Sequence, residues 1–123
     1  MKLRIKGNTI RFRLTQSEVD LLANGTVEDK TQFPGGNSLI YQINSGEEFG
    51  VIFNGGTVSI SIPESDVQRW ATTDKIEIAN SIELENNEQL EISIEKDFKC
   101  LTERPKEDES DMYPNPLEKH AKC

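Results

Sequence analysis

The sequence predicts a mainly β fold, a small antiparallel barrel or strongly curved sheet of seven or eight strands with two short helices. Three observations carry this reading. Apolar and polar residues alternate with a period of two through most of the first hundred positions. Glycine-containing pairs suited to two-residue hairpin loops, Gly7-Asn8 and Gly55-Gly56, separate such runs. Only two stretches, opening at Thr15 and Glu64, change to helical spacing.

The first hairpin reads Lys2-Leu3-Arg4-Ile5-Lys6, a Gly7-Asn8 loop, then Thr9-Ile10-Arg11-Phe12-Arg13. That loop sets Leu3 opposite Phe12 and Ile5 opposite Ile10 on one face. It sets Lys2 opposite Arg13 and Arg4 opposite Arg11 on the other, where like charges repel. Thr15-Gln16-Ser17-Glu18 is a capping box for a short helix, with Leu14 and Val19 as its hydrophobic staple and Gly25 at its C-terminal stop. Val27 to Phe33 reads as a strand closed by Pro34-Gly35-Gly36. A three-strand meander is expected next, with Leu39, Tyr41 and Ile43, then Phe49, Val51 and Phe53, then Val58, Ile60 and Ile62 facing inward. Gly55-Gly56 pairs Phe53 with Val58 and Val51 with Ile60. Pro63 ends that strand, and Glu64 to Ala71 forms the second helix on Val67, Trp70 and Ala71.

The last hairpin is acidic. A three-residue loop at Asn86-Asn87-Glu88 pairs Leu84 with Leu90, Ile82 with Ile92, Glu83 with Glu91 and Glu77 with Asp97. Lys96 interrupts its apolar face. Antiparallel pairing of the first and last strands would close two free edges and set the basic hairpin beside the acidic one.

Charge is unevenly distributed. Residues 1–13 hold five bases and no acid, whereas residues 77–118 hold thirteen acids and four bases. The whole chain carries a net charge of −8, which argues against nucleic acid as a partner. At 123 residues one domain is expected, over residues 1–101, followed by an acidic, proline-containing tail over 102–123 that is disordered or draped on the surface. No signal-peptide pattern and no apolar run of membrane-spanning length are visible, so neither a membrane nor export is expected. Two cysteines do not make a disulfide framework, and a reducing, cytoplasmic setting follows.

Four segments occur together in order: KLRIKGNTIRFRLTQSEV, WATTD, EKDFKCL and EDESDMYPNP. With them the chain resembles a family of small bacterial proteins of about this length with no assigned function. The resemblance spans most of residues 1–116, and Leu117 to Cys123 lie outside it. It implies a bacterial, cytoplasmic protein and carries over no catalytic or binding residue.

The basic face of Lys2, Arg4, Arg11 and Arg13 is the leading site candidate. Cations in adjacent cross-strand rows suit a phosphate or a carboxylate, and arginine adds bidentate geometry. The competing reading is a salt-bridge ladder in which Glu91, Glu95 and Asp97 neutralise that face internally. The function expected is therefore a non-enzymatic binding or protein-interaction module whose partner is an acidic protein segment or a small anionic ligand.

An alternative places the same charges inside a tunnel. Triphosphate-tunnel hydrolases look similar in carrying alternating charges on strands, with carboxylates holding a divalent metal. Their early strand has a Glu-x-Glu-x-Lys motif, where this chain has Lys2-x-Arg4-x-Lys6. Cys100, His120 and Cys123 allow a zinc reading but lack a Cys-x-x-Cys partner, so no metal and no cofactor is expected. His120 is the only histidine, which leaves nucleophilic catalysis without a well-placed base.

Overall fold

A computed structural model of the chain describes residues 1–98, 111 and 113. Eight strands and two helices follow one another as β1 (Lys2–Lys6), β2 (Thr9–Leu14), α1 (Gln16–Ala23), β3 (Thr26–Phe33), β4 (Asn37–Gly46), β5 (Gly50–Asn54), β6 (Thr57–Pro63), α2 (Glu64–Thr72), β7 (Glu77–Glu83) and β8 (Gln89–Lys96). The mainly β class and the two short helices hold. The strands form two four-stranded sheets, in the orders β1-β2-β8-β7 and β3-β4-β6-β5, and they do not close into a barrel.

Each hairpin forms where its turn residues require it. Gly7 supplies a left-handed backbone at φ 54° for the β1–β2 turn, and Gly55 and Gly56 do so at 58° and 80° for β5–β6. Leu3 faces Phe12 and Ile5 faces Ile10, while Val51 faces Ile60 and Phe53 faces Val58. The acidic hairpin differs from expectation by one residue. Its three-residue turn is Glu85–Asn87, in which Asn86 and Asn87 take positive φ values of 73° and 60°. Every facing pair therefore shifts by two, so that Ile82 meets Leu90, Ser81 meets Glu91 and Glu77 meets Glu95. A two-residue shift keeps each side chain on its expected face.

Between hairpins the pairing is parallel. β2 lies parallel to β8, and β4 lies parallel to β6 and not beside β5 as a meander would require. The reason lies in the connections. α1 leaves β2 in one sheet and leads to β3 in the other, and α2 leaves β6 and leads back to β7. Each sheet is thus built from two hairpins joined through their second strands; the two are distant in sequence in the first sheet and consecutive in the second. The basic and acidic hairpins are side by side, but among the described strands β1 remains an edge.

This arrangement is an internal duplication. The unit β1-β2-α1-β3-β4 repeats as β5-β6-α2-β7-β8, and exchanging the two units converts one sheet order into the other. Gly7 corresponds to Gly55, an offset of 48, and Val27 to Ile78, an offset of 51 after a longer helix-to-strand link. The core follows the same rule. Phe12 and Ile60, Leu14 and Ile62, Val19 and Val67, Leu22 and Trp70, Val27 and Ile78, Tyr41 and Ile92, and Ile43 and Ile94 are all buried in one continuous cluster. The joins repeat as well. Ile40 N–H donates to Gly56 O at 2.9 Å, and Glu91 N–H to Asn8 O at 2.8 Å.

The capping box of α1 forms, with the Thr15 N–H donating to the Glu18 carboxylate at 2.9 Å. α1 contacts α2, β2, β3 and β4, and α2 contacts β4, β6 and β7, so the helices span both sheets. Among the described residues no helix is long and apolar enough to cross a membrane.

Candidate functional site

Strand alternation decides where the charges go. Phe12 and Ile94 fill the core face of the first sheet, so their neighbours Arg11, Arg13, Ser93 and Glu95 must point to its outer face. That face carries successive cross-strand rows of Lys2, Arg13, Glu95 and Glu77, then Arg4, Arg11, Ser93 and Ala79, then Lys6, Thr9, Glu91 and Ser81. The charges therefore lie on the outside of an open sheet. The tunnel reading needs them on the inner wall of a closed barrel, and the described strands provide no such lumen.

Three of the four expected cations meet carboxylates. Glu95 stands between two of them, with Arg11 Nε at 3.1 Å and Arg13 Nε at 3.4 Å. Asp97 is nearly buried beside β2, where its N–H donates to Leu14 O at 2.9 Å, and its carboxylate holds Lys2 Nζ at 3.2 Å. Glu91 accepts from the Thr9 hydroxyl at 3.4 Å. Ser93 Oγ donates towards Glu77 and Glu95, at 2.9 and 3.0 Å, which eases the facing of those two carboxylates.

Neutralisation stops there. The Arg11 pair is close but misaligned, so the Nε–H of Arg11 is out of solvent and makes no hydrogen bond. Arg4 and Lys6 are exposed and have no partner among the described residues. Arg4, Lys6, Thr9, Arg11 and Glu91 line an open groove of about 410 Å³ on this face. A second shallow groove, of about 570 Å³, continues from Thr9 and Arg11 across Ser93 and Glu91 to Glu77. Lys6 and Thr9 thus join the candidate set. Their signal in the sequence is parity alone, since both share a face with Arg4 and Arg11.

The duplication supplies an internal comparison. The positions matching Lys2, Arg4, Lys6, Arg11 and Arg13 are Gly50, Ile52, Asn54, Ser59 and Ser61. On that second outer face Gln42 and Asn44 donate to Ser59 Oγ at 2.9 and 3.2 Å, forming an uncharged amide and hydroxyl network. The fold therefore forms without cations at these places.

A second polar centre lies at the end of β8. Lys96 is buried, its Nζ donates to Thr73 O at 2.8 Å, and it stands over Trp70 and Tyr113 at 5.9 and 5.1 Å from the ring centres. Burial lowers its pKa, against a smaller opposing effect of Asp74. Tyr113 N–H donates to Asp97 O at 2.8 Å, and its ring meets Phe98 edge-on at 5.6 Å. Asp111 sits at the start of α1, where its carboxylate accepts from Ser17 N–H at 3.2 Å and from the Ser17 hydroxyl. Those hydrogen bonds, with one from Thr15, hold the Asp111 carboxyl below its ordinary pKa. These two residues of the expected tail thus dock beside α1 and β8. The rest of 102–123, with Cys100 and so all three zinc candidates (Cys100, His120 and Cys123), lies outside the described residues.

Residues 1–117 match the model of a family described as "Family of unknown function (DUF7009)". The chain belongs to that family. DUF7009 has no assigned function, which agrees with the resemblance to an uncharacterised family; the particular segments that suggested it are not themselves tested by the match. No curated protein and no solved structure matches the chain. What the outer face of the first sheet does must accordingly be argued from its own chemistry.

Proposed function

We propose that the protein is a non-enzymatic binding module of the bacterial cytoplasm that holds an anionic partner on the outer face of its N-terminal hairpin. Lys2, Arg4, Arg11 and Arg13 form the binding face, extended by Lys6. Glu95 holds Arg11 and Arg13, Asp97 holds Lys2, and Glu91 engages only the Thr9 hydroxyl, so that Arg4 and Lys6 are left to the partner. The observation that carries the reading is the groove in which exposed Arg4 and Lys6 stand beside Arg11, with no carboxylate of the described residues on either. Uncharged residues at the equivalent places of the second unit support it, because these cations are not a requirement of the architecture. The bacterial and cytoplasmic setting is supported by the resemblance and by the low cysteine content.

Thermal melting at low salt tests this reading. A ligand that binds only the folded state raises the midpoint by mass action. Pyrophosphate or tricarballylate is expected to raise it in a salt-sensitive manner, and Arg4→Ala should remove the rise. Arg4→Ala alone should leave stability within about 0.5 kcal/mol, as for other exposed surface positions. No rise with any polyanion, at a salt concentration where surface charges are unscreened, would refute the proposal.

A further inference from the structure

We infer that the anionic partner is an extended acidic protein segment that adds to the free edge of β1 as a fifth strand of the first sheet; this rests on the binding role proposed above and gives it a partner class. β1 ends the strand order β1-β2-β8-β7, so one side of its backbone faces no other strand among the described residues. Such an edge is a template for strand addition. Its side chains set a two-face code. Arg4 and Lys6 stand on the outer face, while Leu3 and Ile5 continue the core face, where Ile5 is 57% exposed.

The molecule contains a precedent for what such a code accepts. β8 lies on the far side of the same hairpin and reads Glu91-Ile92-Ser93-Ile94-Glu95. Its glutamates meet Thr9, Arg11 and Arg13 on the outer face, and its isoleucines are buried on the inner one. A segment alternating acidic and apolar residues would repeat that pattern at β1, with carboxylates beside Arg4 and Lys6 and apolar groups covering Ile5. Lys2 is engaged by Asp97 and is not required.

Cations on an edge also discourage edge-to-edge aggregation. That role does not account for them here. β5 is the equivalent edge of the second sheet, and Gly50, Ile52 and Asn54 replace the three cations. The charged edge is particular to the first sheet, and so is the acidic occupant it selects.

The test is titration of the whole protein, at low salt, with a short acetylated and amidated peptide alternating glutamate with valine. Three comparisons accompany it: an isomer with its glutamates in one block, a version N-methylated on alternate backbone nitrogens, and tricarballylate. The alternating peptide should bind at least tenfold more tightly than the block isomer. N-methylation on the edge-facing side, and Arg4→Glu with Lys6→Glu, should each weaken it at least tenfold, with the circular dichroism of the variant unchanged. Equal binding of both isomers and no effect of N-methylation would overturn strand addition while leaving the anion-binding role of the basic face intact. Failure of the peptides and of tricarballylate alike would overturn both. Salt-sensitive self-association abolished by the same double variant would make a second copy the occupant and would also overturn the inference.

Discussion

Phe12 and Ile60 occupy the same place in two copies of one β-β-α-β-β unit, 48 residues apart, and both are completely buried. Each stands on the strand that joins its hairpin to a hairpin of the other unit. Neither sheet is complete without both units, so the chain should unfold as one cooperative body.

Truncation at either position therefore has the same character. Phe12→Ala should cost about 3–5 kcal/mol and Ile60→Ala about 2–5 kcal/mol, from lost burial plus the cavity left behind. Either loss is a large part of the ~5–15 kcal/mol that stabilises a domain. Urea denaturation followed by far-ultraviolet circular dichroism and by Trp70 fluorescence should show one coincident transition in each variant. Separate transitions for the two probes would show that the sheets melt independently.

Lys96 gives a test at high pH. Burial disfavours its charged form in the fold, so its pKa lies below the 10.5 of the unfolded chain. Between those two values the unfolded state binds more protons, and stability rises with pH. Tyr113 works in the opposite direction, since its raised pKa makes the folded state hold a proton longer than the unfolded one. Comparison with Lys96→Met isolates the lysine. The melting temperature of wild type relative to that variant should climb as pH approaches 10.5. A flat or falling difference would contradict the burial described for Nζ.

Asp111 gives the test at low pH. Its folded pKa is depressed below 3.8, chiefly by the Ser17 hydrogen bond, so its contribution is present above 3.8 and is lost as pH falls through the folded value. The start of α1 adds to this, because a helix N-terminus favours negative charge. Asp111→Asn keeps an acceptor for Ser17 N–H but has no charge to lose. The advantage of wild type over this variant should be constant near neutral pH and should vanish in acid. A constant difference throughout would place Asp111 away from α1.

The elements were legible because their signals are local. The Gly7-Asn8 and Gly55-Gly56 turns, the Thr15–Glu18 capping box and the period-two runs each depend on a few adjacent residues. The partnership of hairpins was not legible, because it depends on two helices that each cross to the other sheet. Adjacent strands usually pair, so a meander through β4, β5 and β6 was the natural expectation. The duplication left a faint trace. Gly7 and Gly55, Thr9 and Thr57, Ser17 and Ser65, Val19 and Val67, and Ala23 and Ala71 are identical at one offset. Later, the left-handed pair Gly35-Gly36 is matched by Asn86-Asn87, a likeness of backbone conformation that residue identity conceals.

The basic face was legible to the extent that parity defines it. Lys2, Arg4, Arg11 and Arg13 do share one face, and Glu95 lies where both inner arginines reach it. The separation of that set into engaged and free cations was not legible. It depends on Glu95 facing Arg13 across a parallel pair, and on Asp97 leaving the sheet to turn under Leu14.

That exposed Arg4 and its neighbour Arg11 form an anion site is a claim open to nuclear magnetic resonance of the arginine Nε–H groups. On titration with tricarballylate at low salt, the resonances of Arg4 and Arg11 should move together and saturate, while that of Arg69 on α2 stays in place. Uniform small drifts of all arginines, or no movement at Arg4, would contradict the claim and leave the face as a solvated edge.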